Sequence, residues 1–152
     1  GELGFQTAIQ SDMAPLNHLI QTTLQAAPHT HVLRDPTRGG LATTLNEIAC
    51  QSQVGMLLEE DQLPIKNSVR SACEMLGFDP LYVANEGKVI VIVPENETQA
   101  ALAALRTHPY GVDAQVIGKV LPDNPGRVML KTAIGGTRLL DMLSGEMLPR
   151  IC

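Results

Sequence analysis

Residues 84–105 read ANEGKVIVIVPENETQAALAAL, and this stretch passes from a turn through a strand into a helix. Asn85, Glu86 and Gly87 are turn formers. Residues 88–93 form an aliphatic, β-branched run too short for a helix and typical of a buried strand. Pro94 ends the run, and a helix is predicted over 97–105. A chain that alternates such units folds as a sheet covered by helices.

The same alternation extends outward. Upstream, 67–76 has a helical pattern that stops at Gly77, and 39–50 carries Leu41, Leu45, Ile48 and Ala49 on one face. Residues 11–25 place Leu16, Leu19, Ile20 and Leu24 at helical spacing, with Asp12 as N-cap and Pro15 in the first turn. Strands are predicted over 55–59, 81–84, 115–120, 127–132 and 137–141, with turns at 85–87 and 122–126 between strands. The fold class expected is α+β with layered α/β character, a mixed β-sheet flanked by helices.

Composition bounds the function. The chain has 152 residues, enough for one domain that buries roughly 70% of its unfolded surface. Hydrophobic residues make up 44%, with no Trp, two Phe and two Tyr, so the core must be aliphatic and base-stacking platforms are scarce. A net charge of −5 disfavours nucleic acid and anionic lipid as partners. The longest aliphatic run, 89–93, is far shorter than the ~20 residues of a membrane helix, and no signal-peptide pattern begins at Gly1. A soluble, cytoplasmic protein is expected.

Cys50, Cys73 and Cys152 form no C-x-x-C pair and have no His at zinc spacing, so neither a disulfide framework nor a metal site is expected. Cys50 and Cys73, among apolar neighbours in predicted helices, read as buried thiols.

Three constellations carry chemistry. Asp35, Pro36, Thr37, Arg38, Gly39 and Gly40 lead into the second predicted helix. Glycines there let backbone N–H groups approach an anion, and the Thr37 hydroxyl, the Arg38 guanidinium and the helix dipole favour phosphate. The alternative is a plain capping turn. Glu86, in ANEGK, is placed to project from a sheet end as a general base; the alternative is an idle β-hairpin turn. The chain ends LPRIC, where Pro149 keeps the segment extended, Arg150 partly offsets the α-carboxylate, and Cys152 offers a nucleophilic thiol; the alternative is a frayed tail.

Together, DPTRGGLATTLNEIA, VANEGK and the terminal PRIC resemble the HypE family of carbamoyl dehydratases, within the aminoimidazole ribonucleotide synthetase superfamily. The resemblance covers residues 12–152, and PRIC is its most specific element. It implies that Cys152 accepts a carbamoyl group from the carbamoyltransferase HypF. ATP then phosphorylates the amide oxygen, and loss of phosphate leaves a thiocyanate whose cyanide passes to iron, a step served by a HypC–HypD complex. Glu86 would strip the amide N–H, Asp35 to Gly40 would hold phosphate or the tail, and Arg150 would support the tail.

The resemblance further implies a two-domain, homodimeric parent whose N-terminal half binds most of the ATP and Mg2+ and is not part of this chain. Residues 1–10 would be a linker from that half, 11–144 the C-terminal domain, whose fold is that of the aminoimidazole ribonucleotide synthetase C-terminal domain, and 145–152 a flexible tail. The chain alone is then expected to be inactive towards ATP. Two rival readings remain open: an interaction module without catalytic groups, and a thiol site pairing Cys152 with His18, His29, His31 or His108.

Overall fold

A computed structural model describes residues 6–12, 16–30, 32–34, 40–65, 67–77, 79–82, 88–109 and 111–141. Its elements in chain order are β1 (Gln6–Asp12), α1 (Leu16–Ala26), β2 (Val32–Arg34), α2 (Gly40–Ser52), β3 (Gly55–Glu59), α3 (Asn67–Leu76), β4 (Lys88–Pro94), α4 (Thr98–Thr107), β5 (Gln115–Leu121), β6 (Val128–Lys131) and β7 (Thr137–Leu139). The strands form a seven-stranded sheet in the order β2-β4-β1-β5-β3-β6-β7. Neighbours are antiparallel except β3 and β6, which are parallel, so the sheet is mixed.

β4 explains why its sequence is aliphatic without alternation. Ile90 and Ile92 join Leu41, Leu45, Ile48, Leu58 and Leu130 in a core on one face. Val89, Val91 and Val93 join Ala101, Leu102 and Leu105 of α4 in a second core on the other. A strand covered on both faces must be apolar at every position. All five side chains are at most 4% exposed, a burial worth on the order of 10 kcal/mol. α2 therefore covers one face, while α4, packed against α1, covers the other.

β1 was not legible as a strand. Residues 6–10, expected in a linker, belong to β1, which pairs with both β4 and β5 near the middle of the sheet. The expected helix start at 11–15 is corrected for the same reason: Ser11 and Asp12 end β1, and α1 begins at Leu16. Gln10 is only 3% exposed and its Nε2 has no partner, at a cost of about 1–3 kcal/mol. That cost is small beside the apolar burial on the adjoining strand, so a locally polar sequence is held in the sheet.

Other boundaries shift less. α3 runs as predicted, and α4 starts at Thr98 after a 3-10 turn at Glu95–Glu97. The strand expected over 81–84 is instead a 3-10 turn, Pro80–Tyr82, with 83 and 84 outside the described residues. The 122–126 turn does not join paired strands, because β5 and β6 lie on opposite sides of β3. It packs under Gly55, where a Cβ would fall 2.0 Å from the Asp123 carbonyl oxygen. Cys73 is buried with a free thiol, as read, whereas Cys50 is only half-buried and, being disulfide-bonded, is not the free thiol expected. Among the described residues, no helix is long and apolar enough to cross a membrane.

Candidate functional site

Of the residues singled out in the sequence, Gly40 lies within the described residues. Asp35, Thr37, Arg38, Gly39, Glu86, Arg150 and Cys152 lie outside them, as does the expected tail over 145–152. The strands that flank two of these segments are placed, and their register fixes where each segment leaves the sheet.

β2 and β4 are adjacent and antiparallel, with Arg34 opposite Ile90. β1 lies on the other side of β4, with Asp12 opposite Lys88. The C-terminal ends of β1 and β2 and the N-terminal end of β4 therefore share one end of the sheet. Segments 35–39 and 83–87 both attach there, on strands about 4.8 Å apart. β4 pairs with β1 and β2, and Pro80–Tyr82 is a 3-10 turn rather than a strand, so β4 is not paired with residues 81–82.

Segment 35–39 delivers the chain into α2. Gly40 is buried with φ +74°, in the left-handed region where a side chain is strained, so glycine is needed for the chain to turn into the helix. Among the described residues, the first turn of α2 carries no acidic side chain at the positive end of its dipole. Within it Thr43 is buried, and its hydroxyl has no partner.

α2 also reaches the far edge of the sheet. Asn46, 1% exposed, donates from Nδ2 to the carbonyl oxygens of Ala42 at 2.8 Å and Leu140 at 2.7 Å. Leu140 is itself buried, and its N–H donates to the Val128 carbonyl oxygen at 2.8 Å. A second tie lies two residues before Leu140 in the chain. Arg138 of β7 donates to Asp79 Oδ2 at 2.7 Å, while Asp79 Oδ1 accepts from the Leu81 N–H at 3.0 Å and caps the 3-10 turn. Sequence reasoning missed all three residues. The Asp79-Pro80 step could have been read as an Asx-turn. Its Arg138 partner stands 59 residues away, so no local pattern announces it.

Of the alternative thiol site, Cys152 and His31 lie outside the described residues. The exposed His29 pairs with Glu97, whose carboxylate accepts from its N–H at 3.0 Å and approaches its Nδ1 at 2.5 Å. His108 is buried at the end of α4. Among the described residues, no group of three or more His, Cys, Asp or Glu side chains is placed to hold one metal ion. The acidic run 59–61 is more than a solvated face, since Glu60 Oε1 accepts from the Ala133 N–H at 2.9 Å and braces the β6–β7 connection.

Comparison with known proteins gives this arrangement its relatives. The family described as AIR synthase related protein, C-terminal domain, matches residues 3–131. Carbamoyl dehydratase HypE of Cupriavidus necator is 54% identical over 150 residues, 99% of this chain and 43% of that protein. The chain thus spans less than half the length of the curated relative it matches. A crystal structure of hydrogenase maturation protein HypE in complex with ATP superposes with a TM-score of 0.84 at 43% identity, over 97% of this chain and 52% of that one. A HypE–HypF complex gives 0.83 at 37% identity, over 90% of this chain and 52% of that one.

Proposed function

Because this chain belongs to the AIR synthase related protein C-terminal domain family and is similar over nearly its whole length to HypE, we propose that it carries the reacting thiol of a carbamoyl dehydratase serving NiFe-hydrogenase maturation. Cys152 accepts a carbamoyl group as a thiocarboxamide. The amide oxygen attacks the γ-phosphorus of ATP, releasing ADP. The C–O bond then breaks with phosphate as leaving group while the N–H protons are removed, leaving a thiocyanate on sulfur. The amide oxygen departs in the phosphate. Glu86 is the base, and Asp35, Thr37, Arg38, Gly39 and Gly40 hold phosphate or the arriving tail, with Arg150 supporting the tail's end.

The observation that carries this reading is the register of β2 against β4, which attaches segments 35–39 and 83–87 to one end of the sheet. A base and an anion cradle must meet at one place, and two loops on neighbouring strands satisfy that. Tail length fits as well. From Leu140 to Cys152 is 12 residues, up to about 40 Å extended. β7 and β4 lie five strand spacings apart, about 24 Å across the sheet. The thiol has reach to spare.

ATP and Mg2+ would be bound mainly by the part of the parent beyond this chain, and Mg2+ would supply charge neutralisation for phosphoryl transfer. By analogy with the HypE–HypF complex, the donor is a HypF-type carbamoyltransferase. On the same proposal a HypC–HypD complex takes the cyanide, and the parent is a cytoplasmic homodimer. Residues 145–152 act as the movable tail. Intact mass spectrometry of the full-length parent tests the reading, after incubation with the carbamoyltransferase, carbamoyl phosphate and ATP beside Cys152→Ala. The expected record is a Cys152-dependent carbamoyl gain followed by loss of one water's mass. No Cys152-dependent adduct, with both proteins folded and active, overturns it.

A further inference from the structure

β3 ends and β5 begins at one end of the sheet, since the two strands are antiparallel with Leu58 opposite Gly118. Between the segment that follows β3 and the one that precedes β5, the surface opens into a groove of about 400 Å³ whose lining includes Asp61, Leu63, Ile65, Val112 and Asp113. Its apolar part is only half covered. Leu63 and Ile65 join the core beneath α2, whereas Val112 is 60% exposed. Its charged part is open too. Asp61 and Asp113 are exposed, and among the described residues neither carboxylate takes part in a hydrogen bond or an ion pair. Other carboxylates of the fold are in use: Glu60 holds the Ala133 N–H, Asp79 holds Arg138 and Glu97 holds His29. No lysine or arginine lines the groove.

The wall beside these groups is fixed by side chains. Arg106 Nη2 donates to Gln115 Oε1 at 3.1 Å, and Gln115 Nε2 donates to Gln62 Oε1 at 2.5 Å. Both amide oxygens are thereby occupied, and Gln62 Nε2 keeps its hydrogens for an acceptor from outside. Gln10 stands opposite Gln115 across β1 and β5 and so on the same face; it is 3% exposed and its Nε2 has no partner, a second amide donor left unused next to the wall.

We propose that this groove docks an extended segment of a partner protein in which an arginine or lysine is flanked by aliphatic residues. The aliphatic side chains cover Val112 and Leu63, the cation meets Asp61 and Asp113, and a backbone carbonyl accepts from Gln62. Charge complementarity selects this occupant: an acidic segment is repelled by two unpaired carboxylates, and a neutral one gains nothing from them. A free small cation fits less well, because the groove is open along one side and small ligands are held where most of their surface is buried. Exposed ion pairs add little affinity, so the aspartates govern choice of partner while the apolar contacts hold it. The inference does not rest on the reaction proposed above.

Fluorescence anisotropy on the full-length parent tests it, with a labelled pentapeptide that alternates leucine and arginine as probe and analogues carrying glutamine or glutamate in place of arginine. At low salt the arginine peptide is expected to bind at least threefold more tightly than the glutamine peptide, and the glutamate peptide more weakly than either. The double variant Asp61→Asn, Asp113→Asn is expected to erase the preference for arginine over glutamine, and Val112→Ser to weaken both peptides alike, with melting temperatures unchanged. The double variant Glu74→Gln, Asp123→Asn removes two exposed charges elsewhere and is expected to bind as wild type does. Equal weakening by that control overturns the proposal in favour of unspecific attraction. So does failure of the parent to bind the arginine peptide, including the case in which the isolated chain alone binds it and the parent covers its own groove. Dissociation of a parent oligomer by Val112→Ser, read by sedimentation, overturns it as well and assigns the groove to a second copy.

Discussion

The side-chain amide of Asn46 donates to the Leu140 carbonyl oxygen at 2.7 Å, joining the middle of α2 to the residue after β7. Both groups are essentially solvent-free, so neither water nor a neighbour can replace the bond. Replacing Asn46 with Ala leaves a buried carbonyl unsatisfied and should destabilise the chain by about 1–3 kcal/mol. Urea denaturation of the isolated chain measures this, and an unchanged midpoint would mean that the bond adds nothing.

Gly40 enters α2 at φ +74°. A Cβ there costs roughly 1–2 kcal/mol of backbone strain. Gly40→Ala should lower thermal stability by that amount, and if the segment it closes holds phosphate or tail, as proposed, the full-length parent should lose more dehydration rate than the stability loss accounts for. Wild-type turnover by a folded Gly40→Ala parent would exclude segment 35–39 from the site.

Gly55 is constrained by contact. Its Cβ would lie 2.0 Å from a backbone oxygen of the 122–126 turn, which cannot swing aside as a side chain can. Gly55→Ala should destabilise the chain by more than Gly77→Ala, since Gly77 has open space around its Cβ position and only its φ of +75° to resist substitution. Paired melting curves check the order, and equal losses would show that β3 shifts freely.

Glu86→Gln in the full-length parent should leave carbamoyl loading intact and slow loss of water by about 10²–10⁴-fold, the usual contribution of a general base. Mass spectrometry of loaded enzyme separates the two steps. Intact dehydration would favour the interaction-module reading, in which this chain docks partners and leaves the chemistry elsewhere.

The isolated chain should show no ATP hydrolysis above buffer, measured as phosphate release. Robust hydrolysis would place the nucleotide site within these residues.

Much of the fold was legible because strong local signals agreed with the tertiary outcome. β4 is aliphatic on both faces, and α3 stops at Gly77, where φ is +75°. β1 and β2 failed for the converse reason. QTAIQSD earns its place from the neighbours that flank it, and a three-residue strand has no period to read. The predicted strand at 81–84 was lost to an Asx-capped turn, whose carboxylate also answers a distant arginine. For the proposed site, the sequence offered candidate motifs. It was silent on which of them attach to one sheet end, because the register of β1, β2 and β4 is set by pairings between distant strands.

The two-faced burial of β4 has a consequence for how this domain moves. Its amides lie in the interior of the sheet, between β1 and β2, and should exchange with solvent deuterium only when the whole domain opens. The loop carrying Glu86 thus has one stem that keeps the slowest time in the molecule. Under the proposed function, a rearrangement at segment 83–87 is expected to be absorbed on the other stem, at the Asp79-capped turn, and deuterium uptake during turnover should rise there while residues 89–93 stay silent.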